Sequence, residues 1–583
     1  MQTQAARVTP RRKKQSFLHG AFILTVGIVI VKVIGALFKI PLKWTIDNEG
    51  FGYYNTAYSF CAPLFSLATA GFPIAIARMV SENYTRHRFR DIRQIYKASI
   101  PIFVTTGTIG FFIMLFGAPT YVNYIGSSGA LPAMYILAPT ILFCCLSSIY
   151  RGYYEGLRNM YPTAISQVIE AICKLVIGLA AACFLVQSGM NEYATAGTVF
   201  GTAFQTADLA KKATLPYAAA GAIAGVTVGS LFSFLFLLIR HKKNGDGITK
   251  AELAASCPPY TMQFTVVQLI KTAIPIGIGA LAVNVAGLID ATFLQTRIGD
   301  IMRDNPTVLL NQYKGMIPTC LTAKEVPNYL FGSYSIALTL FGLIPALIQA
   351  FSMSALPNVT AAWTCGVRSE MKKSMEAVIR ITVLVSVPIG LGMSVLARPI
   401  ISLVFGTDEI ASRVMVIMGI GAIFASVSVP IFSMLQAVGR VDLPVKLLFV
   451  GLTMKVVLNY VLAGIPEINV LGAGIGTLVC YAFITVFAVI FLCKITHIVP
   501  NFMSVLIKPL LASALCAVAA YTVQSLVGRV IPNKLATCVA IAVAGFVYAS
   551  SLLCMKAISR DDVVMLPKGR KIAKALEKHN WIG

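Results

Sequence analysis

Three lysines sit where a lysine is costly. Lys32, Lys39 and Lys43 fall inside the first long apolar stretch, at offsets of 7 and 11 residues from the first of them. At about 100° per residue, those offsets bring all three within roughly 20° of one another on a helix. The result is one cationic stripe, chemistry suited to drawing in an anion. Lys39 and Lys43 lie near enough to an interface to snorkel out to it, whereas Lys32 lies too close to mid-span. An ionisable group there costs roughly 2.5–3.5 kcal/mol on insertion scales, so it needs a partner, water or a function. Arg78, at the end of the second apolar stretch, stands where it could guide an anion inward.

Two further sets of residues carry potential chemistry. Glu170 and Lys174 are one helical turn apart, in the better orientation for an ion pair. They read either as a neutral pair that fixes helix packing or as a switchable pair in a mechanism. Asn284 and Asp290 share one apolar stretch, while Asn459 and Thr477 lie in two later ones. A carboxylate with oxygen-bearing side chains is the hard ligand set that a sodium ion or a proton relay would use. Lys271, shortly before Pro275, reads as a marker of a span entrance.

The elements that must hold these residues are membrane helices. The chain has 583 residues, 57% hydrophobic and 12% charged, with a mean hydropathy of +0.78. Apolar stretches of about 20 residues recur along it, each long enough to cross a bilayer. Backbone groups in that core must bond internally, which makes the spans helices, and the alternation of a β-barrel is missing. The first stretch, from Phe17 to about Leu42, is too long for a signal peptide and reads as a retained span. Fourteen spans are expected, near 17–43, 53–77, 98–117, 130–150, 162–187, 215–239, 266–294, 329–353, 378–397, 414–437, 444–463, 471–493, 509–528 and 535–555.

Most of the 48 Lys and Arg residues fall in alternate connections. The positive-inside bias then predicts cytoplasmic termini, and the basic tails face anionic headgroups. The net charge of +25 thus has an explanation other than nucleic acid. The 13 cysteines form no C-x-x-C pair and read as free thiols. No zinc-ligand motif and no phosphate-binding G-x-x-x-x-G-K-[ST] loop occurs. The chain therefore reads as no enzyme and binds no cofactor. If it transports, an ion gradient of sodium or protons, or the membrane potential, must drive it.

The first six spans and the next six repeat. Arg78 to Arg158 is 80 residues and the corresponding Pro357 to Arg440 is 83. Tyr150-Arg-Gly-Tyr-Tyr-Glu-Gly-Leu-Arg158 followed by Pro162 parallels Met434-Leu-Gln-Ala-Val-Gly-Arg440 followed by Pro444, and each leads into a span with a lysine in its middle, Lys174 or Lys455. An even number of spans gives both copies one orientation. The expected fold is therefore an all-α polytopic membrane protein, with two six-helix lobes related by an axis along the membrane normal around a central cavity. The expected layout is a basic tail at 1–16, an N-lobe at 17–262, a C-lobe at 263–500 with an outer loop near 296–328, two extra helices at 501–556 and a basic tail at 557–583.

Several segments resemble a known family: Lys32-Val-Ile-Gly35, Gly50-Phe-Gly-Tyr-Tyr54 with Ala57-Tyr58, Ala70-Gly-Phe-Pro-Ile-Ala-Ile-Ala77 and Pro162-Thr-Ala-Ile-Ser-Gln-Val-Ile-Glu170. The resemblance is to the stage V sporulation protein B and lipid II flippase-like branch of the multidrug/oligosaccharidyl-lipid/polysaccharide exporter superfamily, over about residues 17–555. It implies alternating access by two lobes in the bacterial cytoplasmic membrane. It also implies a cationic cavity for the diphosphate and sugar of an undecaprenyl-linked cell-wall precursor such as lipid II, and a groove for the lipid tail formed by the two extra helices. Lys32 and Lys39 match basic positions of the flippases' first span, with lysine for arginine at Lys32 and a one-residue displacement at Lys39. The arginines of the Gram-negative flippases in spans two and eight have no match. On this reading Lys32 and Lys39 attract the diphosphate, Arg78 guides it, and Glu170 with Lys174 forms the switchable pair. Implied partners are the lipid-linked glycan, membrane lipids and cell-wall synthesis proteins, with no nucleic acid. The alternatives are export of another lipid-linked glycan, cation-coupled drug export, and a non-transporting scaffold for cell-wall or sporulation enzymes.

Overall fold

A computed structural model describes residues 17–66, 71–349, 359, 363, 368–440, 442–501 and 503–555. The two basic tails and the landmark Pro357 lie outside the described residues. Among the described residues the regular structure is helical apart from one two-stranded hairpin, β1 (Thr198–Val199) and β2 (Thr202–Ala203). The first lobe holds α1 (Phe17–Ser66), α2 (Phe72–Thr85), α3 (Phe89–Ile125), α4 (Leu131–Gly156), α5 (Tyr161–Ala196) and α6 (Ala207–Asn244). A short α7 (Lys250–Ala255) lies in the linker. The second lobe holds α8 (Met262–Asp304), the short α9 (Pro306–Gln312), α10 (Val326–Phe341), α11 (Arg368–Val395), the short α12 (Ala397–Val404), α13 (Glu409–Ala437), α14 (Asp442–Ala463) and α15 (Val470–Thr496). Two extra helices follow, α16 (Lys508–Val527) and α17 (Asn533–Cys554).

Eleven of the described helices are long and apolar enough to cross a membrane. In addition, α1 and α8 run for 50 and 43 residues and carry the first, much of the second and the seventh expected spans. The first two spans are not separate rods with a loop between them. They run on through one break at Asp47, at φ 52° and ψ −171°. Helix starts use proline in the first turn, where a missing N–H costs nothing, as at α4 and α5. Others use side-chain caps, such as Thr261 accepting from the Phe264 N–H. Large side chains such as Phe116, Phe184, Phe449 and Phe546 are exposed on the helices, a pattern that suits hydrocarbon rather than water.

The repeat is visible in the packing. In the first lobe α3 packs on α4, α4 on α6, α5 on α6, α1 on α5 and α2 on α4. The second lobe answers with α11 on α13, α13 on α15, α14 on α15, α8 on α14 and α10 on α13. The extra pair docks on one side of the second lobe, α16 against α11 and α17 against α12. Between the lobes, α1 packs on α8 and α10.

Candidate functional site: a basic cavity beneath a sealed end

Among the described residues, one end of the bundle carries most of the Lys and Arg and is called the basic end; the other carries the break at Asp47 and the loops before α4, α10 and α13. At that second end the lobes are tied together. Asn48 Nδ2 donates to Ser333 Oγ at 2.9 Å and to Asp408 Oδ2 at 2.7 Å. Asn328 Nδ2 donates to the Glu49 carbonyl at 2.9 Å and its Oδ1 accepts from Ser127 at 3.2 Å. Lys212 pairs with Glu325, and deeper in, Gln295 donates to Thr56 at 2.9 Å. Asn48, Asn328 and Gln295 are all buried, so each such bond is expensive to leave unmade. Glycines permit the close crossing: a Cβ on Gly332 would collide with the Asn48 carbonyl, and one on Gly52 with the Asn328 carbonyl.

Towards the basic end, the first lobe encloses a cavity of about 480 Å³ whose lining includes Lys32, Tyr58, Arg151, Glu155, Glu170 and Lys174. Lys32 is exposed within it. The expected Glu170–Lys174 pair does not form. Glu170 Oε2 instead accepts from Arg151 Nη2 at 2.9 Å, and the same guanidinium donates to Ser166 at 3.0 Å and to Ser233 at 2.8 Å. Arg151 reaches across from α4 with a planar fork that one turn of helix could not offer. Lys174 turns the other way. Its ammonium donates to Tyr58 OH at 3.2 Å and lies 4.8 Å from the Tyr58 ring and 5.0 Å from the Phe38 ring. Aromatic faces can hold a cation without a carboxylate partner, and among the described residues Lys174 makes no salt bridge at the cavity wall. A Cβ on Gly229 would press on the Glu170 carbonyl of α5 at 2.8 Å, so that glycine lets α6 back the site closely.

The other expected residues divide. Lys39 is half-buried and donates to Thr339 Oγ1 of the second lobe at 3.1 Å, so it bridges the lobes rather than lining the cavity. Lys43 lines a separate pocket near the sealed end, with Asp47 and Lys211. One stripe thus serves three depths. Arg78 is exposed on α2 and is not among the residues lining the cavity.

Asp290, Asn459 and Thr477 converge in the second lobe. Asn459 Nδ2 donates to Asp290 Oδ1 at 2.7 Å, Tyr334 OH donates to Oδ2 at 2.8 Å, and the Thr477 hydroxyl lies 3.5 Å from that phenol. The expected cation site is, however, met by a side chain: the Lys455 ammonium lies 2.8 Å from Oδ2. Asn284, six residues before Asp290, is rotated from it by about 120° around α8.

Sequence reasoning missed Arg151, Tyr58 and Tyr334 as site residues. Arg151 was hidden because the apolar stretch ends at residue 150, whereas α4 continues to Gly156. The tyrosines read as span aromatics, and only the fold aims their hydroxyls.

Comparison with known proteins agrees with the fold. The polysaccharide biosynthesis protein family matches residues 17–302 and the MatE family residues 308–461. Lipid II flippase MurJ of Bacillus subtilis (strain 168) is 23% identical over 457 residues, covering 76% of each chain. Stage V sporulation protein B of the same organism is 24% identical over 575 residues, covering 95% of this chain and 98% of that one. Among solved structures, lipid II flippase MurJ in an inward closed conformation superposes with a TM-score of 0.59 at 13% identity, over 93% of this chain and 99% of the other. An inward-facing multidrug resistance MATE family transporter of the MOP superfamily gives 0.58 at 11% identity, over 82% and 97%. At such identities the structural likeness is one of fold.

Proposed function

We propose that this chain, a relative of the flippase-like branch of the multidrug/oligosaccharidyl-lipid/polysaccharide exporter superfamily, moves a lipid-linked anionic glycan precursor across the bacterial cytoplasmic membrane by alternating access, with lipid II the leading substrate. The observation that carries this reading is the cationic cavity towards the basic end together with the hydrogen-bonded seal at the other. The basic end is the cytoplasmic side on this reading, with both termini there, so the cavity serves substrate from the inner leaflet. Lys32 and Lys174 meet the diphosphate by charge-assisted bonds. Arg151 is a third cation whose bond to Glu170 a phosphate could displace. Lys39 acts between the lobes, and Arg78 steers at the entrance. The pair α16 and α17, which the resemblance implies to form a groove, takes the lipid tail. Energy comes from a sodium or proton gradient or from the membrane potential.

The test is complementation in cells depleted of their own lipid II flippase, with outer-leaflet lipid II assayed directly at matched membrane expression. Rescue by the wild type and failure of Lys32→Ala is the expected result. A wild type that inserts but does not rescue would favour another lipid-linked glycan or a scaffold role.

A further inference from the structure

Lys174 and Lys455 stand in corresponding helices of the two lobes, α5 and α14. Of the two, Lys455 is the one bonded to a carboxylate. The side chains of Lys455 and Asp290 are 3% and 1% exposed. Asp290 Oδ2 accepts from the Lys455 ammonium and the Tyr334 phenol, each at 2.8 Å, and Oδ1 from Asn459 at 2.7 Å. Thr477 borders the phenol. Asn459 Oδ1 is buried with no hydrogen-bond partner among the described residues. Helices α8, α10, α14 and α15 therefore gather a carboxylate, an amide carbonyl, a phenol and a hydroxyl. That is a hard oxygen set of the kind that holds a small cation, and a tethered ammonium already neutralises its one charge.

We propose that Lys455 is the resident cation of the second lobe: it takes the place a metal ion would hold against Asp290, and removing its ammonium turns the site into one that binds sodium. A carboxylate this deeply buried needs a counter-charge. A metal ion would have to displace both a covalently held ammonium and the phenol beside it. Without Lys455 the same oxygens face an uncompensated charge, and Asn459 Oδ1 gives an incoming ion a ready ligand. Sodium at this site then drives nothing in the wild type. The inference concerns ion binding alone and holds whichever glycan is moved.

The experiment is thermal unfolding of the purified full-length protein in sodium, potassium or choline chloride at matched ionic strength. The wild type is expected to melt at one temperature in all three salts. Lys455→Ala is expected to melt lower in choline, to recover saturably with sodium, and to lose that response when combined with Asp290→Asn. A saturable sodium-specific rise in the wild-type midpoint, absent from Asp290→Asn, would overturn the proposal, as would a folded Lys455→Ala that ignores sodium. Should Lys455→Ala fail to fold, the wild-type comparison decides by itself.

Discussion

At the scale of single residues, corresponding lysines have been given opposite surroundings. Lys174 rests on the rings of Tyr58 and Phe38, while Lys455 is neutralised by Asp290. Losing a cation from an aromatic wall forfeits about 0.5–2 kcal/mol, whereas breaking a buried ion pair costs about 3–5 kcal/mol. Lys174→Ala is therefore expected to fold and insert normally yet lose translocation, and Lys455→Ala to lose stability first; membrane yield and thermal midpoint measured side by side separate the two. Arg151→Ala is expected to lower stability by about 1–3 kcal/mol, because Glu170, Ser166 and Ser233 all lose their donor. Adding Glu170→Gln is expected to recover part of that loss in a double-mutant cycle. At the sealed end, burial opposes ionisation of Glu325, but hydrogen bonds from Lys212 and Thr322 outweigh it and hold the carboxyl below its ordinary 4.5. A depressed carboxyl stabilises above its ordinary value and loses that contribution as pH falls through the lowered one. The seal is thus expected to keep this latch at neutral pH and to lose it only in acid below the usual carboxylate range. Thiol accessibility at the sealed end, followed across pH in wild type and Glu325→Gln, checks the sign.

At the scale of elements, the decisive contact is the crossing of α1 over α10. Gly52 and Gly332 each lie against a backbone carbonyl of the other helix, so the two backbones approach without side chains between them. Gly332→Ala is expected to wedge the crossing apart. The buried bonds of Asn48 and Asn328 depend on that approach, so the variant should label more readily from the sealed side while keeping its helix content. Unchanged labelling would mean that the crossing does not hold the seal. The linker is anchored as well: Asp91 accepts from the Tyr260 N–H at 2.8 Å, and the Arg88 guanidinium lies over the Tyr260 ring at 3.6 Å. The linker between the lobes is thereby clamped to the start of α3.

At the scale of the whole molecule, the seal and the cavity lie at opposite ends, as the proposed alternating cycle requires of one of its halves. Asn48 and Ser333 side chains touch at 2.9 Å across the lobes. Cysteines at both positions, in a background stripped of native thiols, are expected to cross-link on mild oxidation and to halt translocation until reduced. Full activity of the cross-linked protein would exclude a cycle in which this end opens.

Composition and spacing determined the class of this protein. Apolar stretches long enough to span a bilayer permit little but helices, because lipid offers the backbone no hydrogen bonds. The repeat of basic landmarks and mid-span lysines was legible because each half must solve the same packing problem, and the packing follows it. The stripe of Lys32, Lys39 and Lys43 was legible as a helix face. What sequence spacing could not decide was who meets whom. Glu170 and Lys174 are neighbours on one helix, yet Arg151 from α4 takes the carboxylate. Asp290 looked like a cation ligand, yet Lys455 comes 165 residues along the chain to meet it. Ion partners are chosen by distances of a few ångströms between helices far apart in sequence, and those distances exist only once the bundle has packed.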